Sequence, residues 1–282
     1  MSARLRKLLW RVLPKTNREI TLRTWNGLLT FNRRDQVVGK MLYARKEFEK
    51  ASMLQVVSLL DRFAVRKRQM VIDIGANLGM IAIGFLVNDL FTKALAFEPD
   101  PYNYSLLLAN VRQNGLDDRI SCFGVALSAE DGTAELELSA SNYGDHRVRR
   151  IPPPHGGFYR EEKRRTIQVP VRSFDSIVAT DQLPIEQAGL VWVDIQGHEG
   201  HLLRGARSLI RQGVPIVSEF WPYAIERSGM SIQEYTSLVT SNFSRYVHLL
   251  KDRHESRPIS SFPELFEIYR KPREMGTVLL LK

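Results

Sequence analysis

From residue 70 onward, short apolar runs alternate with runs of helical period. Met70–Ile74 reads as a buried strand that ends in the turn Gly75–Gly79, with an apolar helix through Phe91. Ala94–Phe97 reads as a second strand, closed by Glu98, Pro99, Asp100 and Pro101. Tyr104, Leu107, Leu108 and Val111 then keep helical spacing up to Asn114 and Gly115, and Ile120–Phe123 is a third strand. This alternation predicts two right-handed βαβ units in an open α/β sheet.

The middle of the chain is less regular. Thr133–Ser139 and Thr166–Val171 alternate with period two and are expected as half-exposed strands. The stretch 141–165 between them holds Pro152, Pro153, Pro154, Gly156 and Gly157, a composition common in lids and substrate-binding segments. The regular rhythm resumes at the strand Leu190–Val193, which ends at Asp194. One helix is expected from Gly197 to Gly213, with Leu202, Ala206, Leu209 and Ile210 on one face. Pro215–Ser218 is the next strand, ending at Glu219. A helix over 231–242 and two late strands, 246–250 and 276–281, finish the sheet.

The front of the chain differs in charge. The 40 basic and 31 acidic residues give +9, yet residues 1–70 hold 17 basic and 5 acidic residues, so +12 falls there and the remainder nets −3. Leu5, Leu8, Leu9, Val12 and Leu13 form a helical stripe beside Arg4, Arg6, Lys7 and Arg11, with Pro14 as the expected stop. Such a basic amphipathic helix over residues 4–13 either packs on its own domain or a partner, or lies on an anionic membrane surface. The former is the leading account. No apolar run in the N-terminal segment has the length of a signal peptide or a membrane span, and Cys122 is the only cysteine. A cytoplasmic location is the expectation.

An open sheet binds its ligand at the carboxyl ends of its strands. That edge collects Asp73, Gly75–Gly79, Glu98, Asp194 and Glu219. A dinucleotide turn needs a second glycine where Asn77 stands, and Asp73 repels a pyrophosphate. S-adenosylmethionine carries a sulfonium, an ammonium and a carboxylate. Its cations suit Asp73, its carboxylate suits the helix start near Gly79, and its ribose diol suits Glu98.

The runs Val71–Gly79, Ala96–Pro101, Ala126–Ser128, Ser141–Gly144 and Val193–Glu199, with Gly205 and Ala206, then Pro215–Glu219, resemble the FkbM family of S-adenosylmethionine-dependent methyltransferases. The stretch 25–49 is similar to that family's lead-in. The resemblance implies a class I methyltransferase fold, Rossmann-like and mostly parallel, with helices on both faces and an antiparallel C-terminal edge. It also implies O-methylation of a sugar, lipid-linked glycan or other natural product. Carried over by position, Asp73, Gly75, Ala76, Asn77, Gly79, Glu98, Pro99 and Asp194 hold the cofactor, with Ala126 and Ser128 near the adenine. Asp194, His198 and Glu199 line the reacting edge. The family usually has Lys and Glu where this chain has Trp192 and Gln196. The expected organisation is a basic extension, 1–65, and a methyltransferase domain, 66–282, in which 141–165 is the substrate loop.

Methyl transfer requires the protein to position the acceptor oxygen and take its proton. His198 is the first candidate base, since its ordinary pKa leaves it mostly neutral near pH 7, with Asp194 orienting it or accepting from the hydroxyl. A helix-start role competes for His198, and for Glu199 the helix dipole accounts better for an acid in the first turn. No metal is expected. The acceptor is expected to be a small molecule or glycan and not a nucleic acid, because the catalytic region nets −3 and lacks an RNA-binding module. The alternatives are an RNA methyltransferase and a non-catalytic membrane- or complex-associated protein on the same fold.

Overall fold

The computed structural model describes residues 1–13, 19–63, 69–151, 158–251 and 253–282. Pro14, the 65/66 boundary and Pro152–Gly157 lie outside them.

Ser2 caps α1 (Ala3–Val12) by accepting from the Leu5 amide. An antiparallel hairpin of β1 (Glu19–Thr24) and β2 (Gly27–Asn32) follows, then α2 (Val38–Arg45) and α3 (Lys50–Arg62). The parallel units predicted from the apolar rhythm come next: β3 (Met70–Ile74), α4 (Met80–Val87), β4 (Lys93–Phe97), α5 (Pro101–Gln113) and β5 (Ile120–Phe123). Helix α4 stops at Val87, short of Phe91, where the side-chain Nδ2 of Asn88 donates to the Gly84 and Trp25 carbonyls.

An excursion then leaves the main sheet. Strands β6 (Ala126–Ser128), β7 (Gly132–Leu138), β8 (Arg147–Arg149) and β9 (Arg165–Ser173) make a separate small sheet in the order β6-β9-β7-β8. The two period-two segments pair with each other there, Gly132 opposite Val171 through Leu138 opposite Arg165.

The chain returns through α6 (Phe174–Asp181) to β10 (Ala188–Val193), α7 (Glu199–Gly205), α8 (Arg207–Gln212), β11 (Ile216–Phe220), α9 (Pro222–Arg227) and α10 (Ile232–Asn242). It ends with β12 (Arg245–Leu249), β13 (His254–Pro258), α11 (Glu264–Ile268) and β14 (Gly276–Leu281). The single helix expected over 197–213 is broken at Ala206. A Cβ on Gly205 would stand 2.0 Å from the Ser128 carbonyl oxygen, so β6 crosses the helix at touching distance there. Two late strands were expected and three are present among the described residues; β13, which alternates weakly and ends in Pro258, has the character of an edge.

The main sheet runs β13-β12-β14-β11-β10-β3-β4-β5, with β5, β4, β3, β10 and β11 parallel and β14 antiparallel to β11. This is the class I methyltransferase arrangement, and its strand order reverses between β3 and β10. Alternate residues of β3 serve two cores. Val71 joins Leu29, Phe31, Leu42, Met53 and Phe85 on one face, while Met70, Ile72 and Ile74 join Phe174, Phe220 and Tyr246 on the other. The N-terminal elements therefore share a core with α4 and α5. Asn110 and Asn114 of α5 stitch the hairpin down through the Thr30 and Leu28 amides.

Candidate active site

At the switch point the glycine turn crosses strand ends at backbone contact. The Gly75 and Ala76 amides both donate to the Phe97 carbonyl, and the Asp194 amide donates to the Ile74 carbonyl. Gly75 has φ +85°, and a Cβ there would lie 2.0 Å from the Asp194 carbonyl oxygen, so only glycine fits. Asn77 also takes positive φ. Its amide hydrogen goes to Glu98 Oε2 at 2.9 Å and its side-chain Nδ2 to the Tyr143 carbonyl, which also accepts from Asn103. Buried Asn77 Oδ1 has no partner.

Two cavities meet here. The first is lined by Glu98, Pro99, Val125, Ala126, Leu127 and Ile195, and Asp194 and His198 also reach it. Glu98 is 5% exposed and accepts from the Asn77 and Asp100 amides. Burial outweighs those donors and pushes its pKa up to about 8. Each oxygen keeps a lone pair for a further donor.

The second cavity, about 370 Å³, shares Gly75, Asn77, Gly144, Asp194 and Gln196 with the first. Its acids are Glu49, Asp73, Asp145, Asp194 and Glu219, its aromatic walls are Phe48, Tyr159, Trp192 and Trp221, and among the described residues no lysine, arginine or histidine lines it. Burial, and then the neighbouring Asp194 charge, push Asp73 up to about 7 even though the Ala82 amide donates to it. Asp194 is pushed up to about 6, by burial first and then by Glu49 and Asp145, against the Gln196 amide. Glu219 rises well above the carboxylate range through burial and the Asp194 charge. Gln196 Nε2 bridges the pair, 2.5 Å from Asp194 Oδ1 and 3.1 Å from Glu219 Oε2.

A family model described as the methyltransferase FkbM domain matches residues 73–253, which is well over half of the chain and includes the strand ends that carry Asp73, Glu98, Asp194 and Glu219. The chain belongs to the FkbM methyltransferase family. It is 25% identical over 197 residues to the 2-O-methyltransferase NoeI of Sinorhizobium fredii, covering 66% of this chain and 76% of that protein. It is 24% identical over 212 residues to the methyltransferase sdnD of Sordaria araneosa, covering 67% and 77%. Among solved structures it is similar to methyltransferase FkbM from Methylobacillus flagellatus, with 17% identity, a TM-score of 0.43, and coverage of 76% of this chain and 44% of that one.

In this FkbM methyltransferase the residues expected from sequence separate by location. Asp73 and Ala76 line the second cavity, Pro99 and Ala126 the first, and Gly75, Asn77 and Asp194 both. Gly79 caps α4 and faces neither. Ser128 sits behind the wall of the first cavity and holds His198 Nε2 at 2.9 Å. The His198 ring stacks on His201 at 4.4 Å, and burial, with His201 and Arg150 adding to it, lowers its pKa well below the ordinary value. His198 does not reach the second cavity. Glu199 reaches neither: its Oε1 accepts from the Ile195 and Gly197 amides and braces the turn after β10. His198 thus faces the first cavity alone, and Glu199 faces neither.

Several lining residues carried no motif. Val38, Met41, Phe48 and Glu49 come from the N-terminal extension and wall the second cavity. The described part of 141–165 is an anchored wall. Asp145 accepts from Arg147 at 2.6 Å and from Arg164 at 2.6 Å, Arg147 reaches Glu161 at 3.1 Å, and its guanidinium lies over Tyr159 and Trp221. Burial raises the Glu161 carboxyl, but Tyr223, Arg147 and Arg227 outweigh it and hold its pKa below the usual range. Among the described residues, no three His, Cys, Asp or Glu side chains are arranged to hold a metal ion.

Proposed function

We propose that this FkbM methyltransferase uses S-adenosylmethionine to methylate a hydroxyl of a sugar, glycolipid or other small natural product. The observation that carries this reading is that two cavities meet at Asp194, the second lined by carboxylates and, among the described residues, by no basic side chain. Such a lining favours a cationic cofactor and disfavours a pyrophosphate. The cofactor fits the residues present. Glu98 faces the first cavity as a ribose acceptor beside apolar Val125, Ala126 and Leu127, and orphaned Asn77 Oδ1 offers an acceptor between the cavities. Asp73 and Asp194 supply negative charge for the methionine end.

When bound, the cofactor supplies an activated methyl carbon. Asp194 lines both cavities and is the group best set to take the acceptor's proton, because its raised pKa brings it closer to the working pH. This reading moves the base from His198 to Asp194. Gln196 donates to Asp194 and Glu219 together, so two acids can face the acceptor without a third charge between them. Trp221 and Tyr159 offer flat faces, and Glu219 and Asp194 offer hydroxyl acceptors, a combination suited to a sugar ring. The oxygen specificity named for NoeI supports an oxygen acceptor here.

The test is calorimetry with S-adenosylmethionine, followed by labelled methyl transfer to a panel of glycans and glycolipids. Binding with transfer to a hydroxyl supports the reading; absence of cofactor binding by the folded protein overturns it.

A further inference from the structure

The N-terminal helix is attached to the protein by one side only. Arg6, Trp10 and Leu13 recur at helical spacing and face inward. Trp10 is 1% exposed, its Nε1 donates to Gln36, Arg33 stacks over its ring at 3.9 Å, and Arg6 Nε donates to the Ala44 carbonyl at 2.8 Å. The apolar stripe read from the sequence is not the face that docks. Leu5, Leu8, Leu9 and Val12 share a second side and are 47%, 56%, 36% and 72% exposed. Arg4, Lys7 and Arg11 form a third side next to it, all exposed and with no acidic partner among the described residues. Packing on its own domain therefore accounts for Trp10 and leaves the leucines unexplained.

We propose that this exposed side of α1 docks on an anionic lipid surface, with the four aliphatic side chains inserted among the acyl chains and the three cations on the headgroups. Charge complementarity selects the occupant. A contiguous aliphatic stripe flanked by cations alone is the pattern of an interfacial helix, and the first 70 residues carry +12. A protein groove would need acids to meet the cationic side, whereas an anionic bilayer supplies them everywhere. The helix is anchored rigidly enough to orient the enzyme, since Gln36 joins Trp10 on one side and the Ser141 carbonyl, at the start of the loop that walls the site, on the other. The proposal stands independently of the acceptor's identity.

The test is co-sedimentation of the full chain with phosphatidylcholine vesicles, with and without phosphatidylglycerol. Two variants are compared, Leu8→Ser with Val12→Ser, and Lys7→Glu with Arg11→Glu. All four positions are exposed, so thermal unfolding should match wild type and serves as the folding control. The expected result is phosphatidylglycerol-dependent binding that weakens with salt and falls about tenfold or more in both variants. Wild type that sediments no better with the anionic vesicles, or variants that bind as wild type does, would overturn the proposal. So would a wild-type dimer in sedimentation velocity that the serine variant splits while no vesicle binding is seen, which would assign the face to a second copy of the chain.

Discussion

Two groups of carboxylates in and around the second cavity differ in what surrounds them. Asp145 of the loop wall, with Glu161 and with Glu137 of β7, is met by Arg147, Arg164, Arg149 and Arg227, and Glu161 is held toward its charged form. At the strand ends, Asp73, Asp194 and Glu219 have no ion-pair partner among the described residues and are driven toward the neutral form, the Arg147 charge opposing this only in part at Glu219. The same residue type is scaffold in one place and an incomplete site in the other. A buried acid whose counter-charge is supplied by the fold contributes rigidity, whereas one whose counter-charge must come from a ligand contributes binding.

The largest effect should come from breaking the paired set. Arg147→Ala strands Asp145 and Glu161 and should lower unfolding free energy in urea by about 3–5 kcal/mol. Asp194→Asn in the unpaired set should leave the urea midpoint unchanged or raised, while reducing turnover at saturating cofactor about a hundredfold, read by single-turnover kinetics. Equal loss of stability in both variants would erase the distinction. Glu98→Ala should weaken cofactor binding about tenfold by removing a charge-assisted acceptor.

The smallest effect is one of pH. Asp73, Asp194 and Glu98 ordinarily lose their protons near pH 4 but keep them in the empty folded protein up to about 7, 6 and 8. Between those limits the folded state binds more protons than the unfolded chain, so the stability of the cofactor-free protein should fall as pH rises from about 4 to 8. A cationic ligand favours the charged carboxylates, so cofactor affinity should rise over pH 6–8 by several-fold, with proton release on binding visible as a buffer-dependent calorimetric heat. Affinity that is flat over this range would mean that the acids are already ionised.

The sequence is legible where structure is made locally. Met70–Ile74, the glycine turn, Glu98 and Asp194 lie in short runs whose period and punctuation specify both strand and strand end. Legibility fails where position depends on distant contact. Nothing around Gly205 announces that β6 will lie against it, so the continuous apolar face of 202–210 suggests one helix where two form, and nothing local to Glu199 shows that its carboxylate turns back onto the Ile195 and Gly197 amides. The arginine network joins residues 2 to 90 positions apart, so no local run of sequence discloses its pairing. The exposed stripe of α1 shows the reverse case. Periodicity grouped Leu5, Leu8, Leu9 and Val12 on one side, but Leu13 turns inward with Trp10, and a single tryptophan outweighed four aliphatic residues in fixing the helix.

The bridge made by Gln196 has a stereochemical consequence. Its amide occupies Asp194 Oδ1, which leaves Oδ2 as the oxygen an incoming hydroxyl can reach. With one oxygen available beside a fixed methyl donor, neighbouring hydroxyls of a ring are not equivalent, since only one can point at Oδ2 while its lone pair faces the methyl carbon. Regiochemistry would then be set by the rotamer of a glutamine that takes no part in the proton transfer itself.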